Sequence, residues 1–239
     1  MSPLTEATGA TALAGVATDE RLSCFWIYRL RPSWRLLDRE TRRQGLDDAM
    51  HLLQPAGARE VTLRGAYNLA GLGADADFML WCISTSADAV NDLAIEIRRT
   101  ALGQHLETRH VLLGLAGPSE YNPDHVPAFI RGEPPRRYVS VYPFVKTPAW
   151  YLLPAEERRA MMAEHGRAGR EHAVFANTVR SFGLGDAEFT VALEADQLKD
   201  LVDCMDALRR LRVREYTLRD TPIYLGRLQP LEGLLSGLS

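Results

Sequence analysis

The sequence predicts an α+β fold made of two ferredoxin-like repeats in tandem. Two observations carry that expectation. The succession strand, helix, strand, strand, helix, strand is legible twice along the chain. In each copy glycine-rich turn residues separate the two middle strands, Gly71-Leu72-Gly73 in the first and Gly183-Leu184-Gly185-Asp186 in the second. Two such repeats give two antiparallel sheets, each with helices on one face, which can pack together or close into a barrel.

The elements follow from their patterns. In the first repeat, apolar runs predict strands over Ser23–Leu30, Glu60–Tyr67, Asp77–Ser84 and Arg109–Leu115, with helices over Arg35–Leu53 and Asp88–Leu102. In the second, Arg137–Pro143, Ala176–Phe182, Glu188–Leu193 and Arg214–Leu225 read as strands, and Pro154 to about Phe175 and Ala195–Leu211 as helices. The resulting organisation is a loose tail over 1–20, an N-terminal half over 21–116, an interdomain loop over 117–136 and a C-terminal half over 137–239. That loop is rich in Pro, Gly and polar residues yet carries the apolar run Val126–Ile130, which predicts that it packs over something.

Composition narrows the function classes. With 28 basic against 31 acidic side chains among 239 residues, no basic excess exists to neutralise nucleic-acid phosphates. No run approaches the roughly 18 apolar residues of a membrane span. Met1–Glu20 lacks the basic start and apolar stretch of a signal peptide, which predicts a cytoplasmic protein. Cys24, Cys82 and Cys204 are scattered rather than clustered, and read as buried, reduced thiols instead of a zinc or iron–sulfur site. Neither a phosphate loop nor a nucleophile elbow is present, and Ala70-Gly-Leu-Gly73 is too short for a nucleotide fingerprint.

Three residues stand out chemically. His165 falls in a helix that starts well, with Pro154 and then Glu156 and Glu157 at its positive end. Met161, Met162, Ala168 and Gly169 share its face, so the imidazole borders a shallow apolar gap in which a flat macrocycle fits, with the ring nitrogen on its iron. On spacing alone a hydrogen-bonded core histidine is the plainer alternative. Tyr142 ends a strand before Pro143, which is expected to stop pairing, and Lys146 follows four residues on. Phenol and ammonium together suit an anionic group; rim packing is the plainer alternative. His125, in the interdomain loop, suits proton transfer to and from peroxide, or is simply exposed.

Longer stretches carry a resemblance. Tyr142-Pro-Phe-Val-Lys146, Trp150-Tyr-Leu-Leu-Pro154, His165-Gly166, Phe182-Gly-Leu-Gly-Asp186 and Leu193-Glu-Ala-Asp196 resemble the coproheme decarboxylases of the chlorite-dismutase superfamily, in the branch with a distal histidine. Arg64-Gly-Ala-Tyr67, Ala76-Asp-Phe-Met79 and Glu120-Tyr-Asn122 extend the similarity over nearly all of the chain beyond the tail. The resemblance implies a dimeric α+β barrel subunit that assembles as a homopentamer. It implies that iron coproporphyrin III is both substrate and redox cofactor, that hydrogen peroxide is the oxidant, and that haem b is the product of converting two propionates to vinyl groups. A ferrochelatase acts upstream.

By the same resemblance His165 is the iron ligand, Tyr142 the radical-forming residue, Lys146 a basic residue near the propionates, Trp150 a neighbour of the porphyrin and His125 the distal base. Thr178 stands where another branch has glutamine and chlorite-splitting relatives have arginine, which argues against chlorite dismutation. Glu194 is the expected acid orienting His165. Other readings are a haem peroxidase acting on a separate small molecule, a porphyrin carrier or sensor, and a barrel without metal.

Overall fold

The structure is a computed structural model, and it describes residues 21–54, 60–73, 75–117 and 126–238. The first repeat runs β1 (Leu22–Leu30), α1 (Arg39–Leu53), β2 (Val61–Asn68), β3 (Phe78–Ser84), α2 (Ala87–Arg99), α3 (Ala101–Gln104) and β4 (Leu106–Leu115). The second runs β5 (Tyr138–Lys146), α4 (Pro148–Leu152), α5 (Ala155–Arg170), β6 (Phe175–Arg180), β7 (Phe189–Ala195), α6 (Leu198–Arg209), β8 (Thr217–Arg219), β9 (Tyr224–Gln229) and α7 (Leu231–Ser236).

The strands join in the order β7-β6-β4-β1-β3-β2-β9-β5, and β5 pairs back onto β7, so the sheet closes into a barrel. Within it β4-β1-β3-β2 and β9-β5-β7-β6 are two copies of one ferredoxin-like sheet, as expected. Closure leaves only short seams between the copies. One is the single pair Leu115↔Arg180 between β4 and β6, and the other runs from Ala66↔Gln229 to Asn68↔Arg227 between β2 and β9. At the first seam a Cβ on Gly114 would sit 2.5 Å from Val179 Cγ2 and 3.0 Å from the Arg180 carbonyl oxygen, so glycine is what lets the strands approach.

Period-two alternation assigns the faces. Phe25, Ile27, Met79 and Trp81 from the first half meet Val139, Val141, Val179 and Ala192 from the second inside the barrel. The interdomain segment closes this interior. Ala128 and Phe129 are buried, and the Phe129 ring lies edge-on to Trp81 at 5.9 Å.

Some expected boundaries shift for local reasons. The first helix starts at Arg39 because the Asp38 carboxylate caps it, accepting from the Thr41 amide at 2.9 Å; a short 3-10 turn, Pro32–Leu36, precedes it. α5 ends at Arg170, since Phe175 already pairs with Glu194 on β7. Pro143 does not end its strand: β5 continues to Lys146 by pairing Pro143↔Thr190 and Phe144↔Phe189 with β7, while pairing with β9 stops at Val141. The expected final strand Arg214–Leu225 is a 3-10 turn over Arg212–Tyr216, then β8, a connection and β9.

Candidate functional site

The barrel presents one outer face of the second repeat to α4, α5 and α6. On β5, Tyr138, Tyr142 and Phe144 point outward, and the Lys146 ammonium lies beside them, 5.2 Å from the Phe144 ring centre. Register extends the row sideways. Tyr142 is opposite Val191 on β7, and Val191 is opposite Thr178 on β6, so Tyr142 and Thr178 share this face. Thr178 is exposed although its strand neighbours Asn177 and Val179 are buried on the interior side.

Helices complete a circuit around that face. Tyr142 lies under α6, its hydroxyl 3.6 Å from Met205 Sδ. One turn on, α6 meets α5, where a Cβ on Gly169 would sit 3.9 Å from Leu208 Cδ2. His165 is one turn back along α5 on the same stripe as Gly169, and Met161 is one turn further. Met161 packs with Trp150 and Val213, and the Trp150 ring centre lies 4.1 Å beneath Lys146 Nζ, which returns the circuit to β5. His165 is half-buried, as are Met162, Ala168 and Gly169 around it, whereas Arg159, Glu164 and Arg167 are exposed, in line with the stripe read from the sequence. Contacts thus link Lys146, Trp150 and Met161, while register puts Thr178 on the face of Tyr142 and helical spacing puts His165 on the stripe of Met161.

Electrostatics fit an anion there. Burial pulls the Lys146 ammonium down to about 8, with the nearby Glu188 carboxylate opposing the shift. Its ring contacts with Trp150 and Phe144 stabilise the cation without neutralising it. The Tyr142 phenol is pushed well above its ordinary value, chiefly by burial and then by Asp220 and Cys204, with Arg209 and Arg214 opposing. It therefore keeps its O–H at neutral pH, the state from which a hydrogen atom can be given.

The family model described as chlorite dismutase matches residues 42–229. The chain belongs to the chlorite dismutase family. Its relatives include the coproheme decarboxylase of Mycolicibacterium smegmatis (strain ATCC 700084 / mc(2)155), 42% identical over 201 residues, which span 83% of this chain and 87% of that protein. Among solved structures, chlorite dismutase from Candidatus Nitrospira defluvii in complex with imidazole superposes with a TM-score of 0.82 at 24% identity, covering 91% of this chain and 94% of that one. A putative chlorite dismutase matches with a TM-score of 0.79, also at 24% identity, over 92% and 100% of the two chains. At that identity the likeness is one of fold.

Within this member of the chlorite dismutase family, one expected role is corrected. Glu194 does not face His165. It points into the barrel, on the opposite side of β7 from α6, and is fully buried. Its carboxylate accepts from Arg64 Nη2 at 2.7 Å, Asn177 Nδ2 at 2.9 Å and the Arg136 amide at 2.9 Å. Strand parity is the cause, because Glu194 follows the outward Leu193 and so turns inward. The expected distal base, His125, lies outside the described residues.

Sequence reasoning passed over Arg64, Asn177 and Glu188. Arg64 gave the one legible sign, a charge beside a glycine within an apolar strand. The register of β2 against β3 shifts there, and the guanidinium turns inward over Trp81 at 4.6 Å. A cleft of about 460 Å³ at the β2–β9 seam, lined by Leu63, Gly65, Leu228 and Pro230 among others, includes none of the circuit residues. Its charged wall, Arg64, is already engaged by Glu194 and the Glu133 carbonyl.

Proposed function

We propose that this chain is a coproheme decarboxylase, using hydrogen peroxide to convert two propionates of iron coproporphyrin III into vinyl groups and so produce haem b. The observation that carries the reading is that Tyr142 and Lys146 share one outward face of β5, which contacts through Met205 of α6 and through Trp150 link to the helix that bears His165. The 42% identity to a protein named coproheme decarboxylase supports it. The C-terminal half is then the porphyrin-binding half.

A flat, anionic macrocycle suits these residues. α5 buries only Met161 fully and offers Gly166 and Gly169 beside His165, so a planar group meets little side chain there. His165 would hold the iron, and a neutral imidazole is suited to that role. Lys146, over Trp150, would hold a propionate, while Thr178 lines the face across from Tyr142. When bound, coproheme supplies the redox centre at which peroxide is reduced. His125 moves the peroxide proton to the leaving oxygen. Tyr142 gives up its phenolic hydrogen and, as a radical, takes hydrogen from the propionate carbon next to the ring. Each cycle consumes one propionate carboxylate, one peroxide and one proton, and releases carbon dioxide and two waters. The same reading takes in a homopentamer, a ferrochelatase as supplier of coproheme, and a cytoplasmic setting. Among the described residues no helix is long and apolar enough to cross a membrane.

Reconstitution with ferric coproheme and stepwise peroxide, followed by porphyrin mass, tests the proposal. The wild type is expected to lose two carbon dioxides. Tyr142→Phe, which gives up only the 3.6 Å contact to Met205, is expected to bind coproheme normally and lose none. Tight binding without mass loss in the wild type would leave a carrier or a peroxidase with another substrate.

A further inference from the structure

Of the 28 lysine and arginine side chains, only Lys146 and Lys199 are lysines. Lys199 is exposed on α6, whereas Lys146 is buried over Trp150, a compact ammonium that can lose its proton in a chain whose basic side chains are otherwise guanidinium groups. Glu188, at the end of the β6–β7 hairpin, engages both sides of the stack that Lys146 makes with Trp150. Its Oε2 accepts from the Lys146 amide at 2.7 Å and from the Tyr151 hydroxyl at 2.7 Å. Its backbone is fixed in turn, the amide donating to the Phe144 carbonyl at 3.2 Å and the carbonyl accepting from Ser181 at 2.8 Å.

We propose that Glu188 is the positioning residue of the anion site: its carboxylate clips the end of β5 to α4 and keeps the Lys146 ammonium charged over Trp150, ready for a propionate. The propionate rests on the function proposed above; the control of Lys146 does not. Two arginines of the segment that pairs with the end of β5 are turned elsewhere. Arg219 on β8 pairs beside Val145 but donates to the Asp186 carbonyl at 2.7 Å, and Arg214 is held by Asp220 at 2.8 Å. Trp150 itself packs with Met161 of α5 and with Val213 and Tyr216 of the 212–216 turn, which also carries the exposed Glu215. Glu188 is thus the acid that opposes the burial of Lys146, which leaves the ammonium titrating at about 8. Anion binding needs the charged form, so affinity is level below that pH and falls about tenfold per unit above it.

Glu188→Gln separates charge from geometry, because the amide oxygen still accepts both hydrogen bonds. Protein labelled with ¹³C at the lysine Cε gives two resonances, Lys199 serving as the exposed reference, and their titration reads Lys146 directly without coproheme. The Lys146 midpoint is expected to fall by about one pH unit in Glu188→Gln, a typical effect of removing a nearby opposite charge. Tyr151→Phe, which loosens the clip and keeps the charge, is expected to retain the wild-type midpoint. The pH at which ferric coproheme affinity breaks, followed by the Soret band, is expected to move with the resonance. An unshifted Lys146 midpoint in Glu188→Gln overturns the proposal. So does an equal shift in Tyr151→Phe, or an affinity break that stays put while the resonance moves. No coproheme uptake by the wild type sinks the functional reading and with it the propionate, while the resonances still decide whether Glu188 governs Lys146.

Discussion

The two repeats share a topology but cover their sheets differently. In the first, Trp26, Tyr28, Phe78 and Leu80 on the outer face meet Val90, Leu93 and Ile97 from α2, giving a filled interface. In the second, the longer α5 buries only Met161, and Thr178 on the outer face of β6 stays exposed. Each buried Leu, Ile or Val contributes roughly 1.5–3 kcal/mol, so α2 stabilises its sheet in a way that α5 does not, and in the second half that packing falls to Leu201 and Met205 of α6. α5 carries His165, Gly166 and Gly169, whereas its counterpart in the first repeat, α1, buries Gly45, Ala49 and Leu53. In the proposed function the same architecture serves in one half as a scaffold and in the other as a receptacle, which a flat ligand would complete.

That contrast can be broken at several points. The largest effect is expected from His165→Ala, which removes the sole iron donor the second half supplies in this account. Its cost in coproheme affinity should exceed the roughly ten- to hundredfold typical of losing a supporting partner. A Soret titration in which the variant binds like wild type would move the iron elsewhere. Glu194→Ala should act on stability, since it strands the Arg64 guanidinium inside the barrel shared by both halves. Breaking a buried pair of this kind costs about 3–5 kcal/mol, read as a lower urea midpoint. An unchanged midpoint would show that the interior is not the common core described here. The smallest effect is expected from Gly169→Ala. Its Cβ meets only ordinary contact with Leu208 in the free protein, so helix propensity should add about 0.5–1 kcal/mol of stability. Coproheme affinity should fall at the same time, because the proposed function puts the macrocycle beside Gly169. A rise in both would place the ligand away from α5.

Much of this was legible in the sequence because it is local. Period-two runs and the Gly71 and Gly183 turns mark both repeats, and both glycines take the positive φ that such turns require. The stripe from Met161 to Gly169 follows from helical spacing alone. What was hidden depends on contacts distant in sequence. Arg64 and Glu194 are 130 residues apart, and no spacing rule joins them. The facing of Glu194 turns on strand parity, which an error of one residue reverses. The persistence of β5 beyond Pro143 depends on β7 as a partner, and the role of Glu188 on a hairpin folding back over α4.

The claim that the second repeat alone is open to the ligand is tested most directly by hydrogen exchange with and without ferric coproheme. The account predicts slowed exchange in α5, α6 and the β5–β7 strands, with α1, α2 and the β1–β3 strands unchanged. Protection centred on α2 and its sheet face, or none in α5, would contradict it.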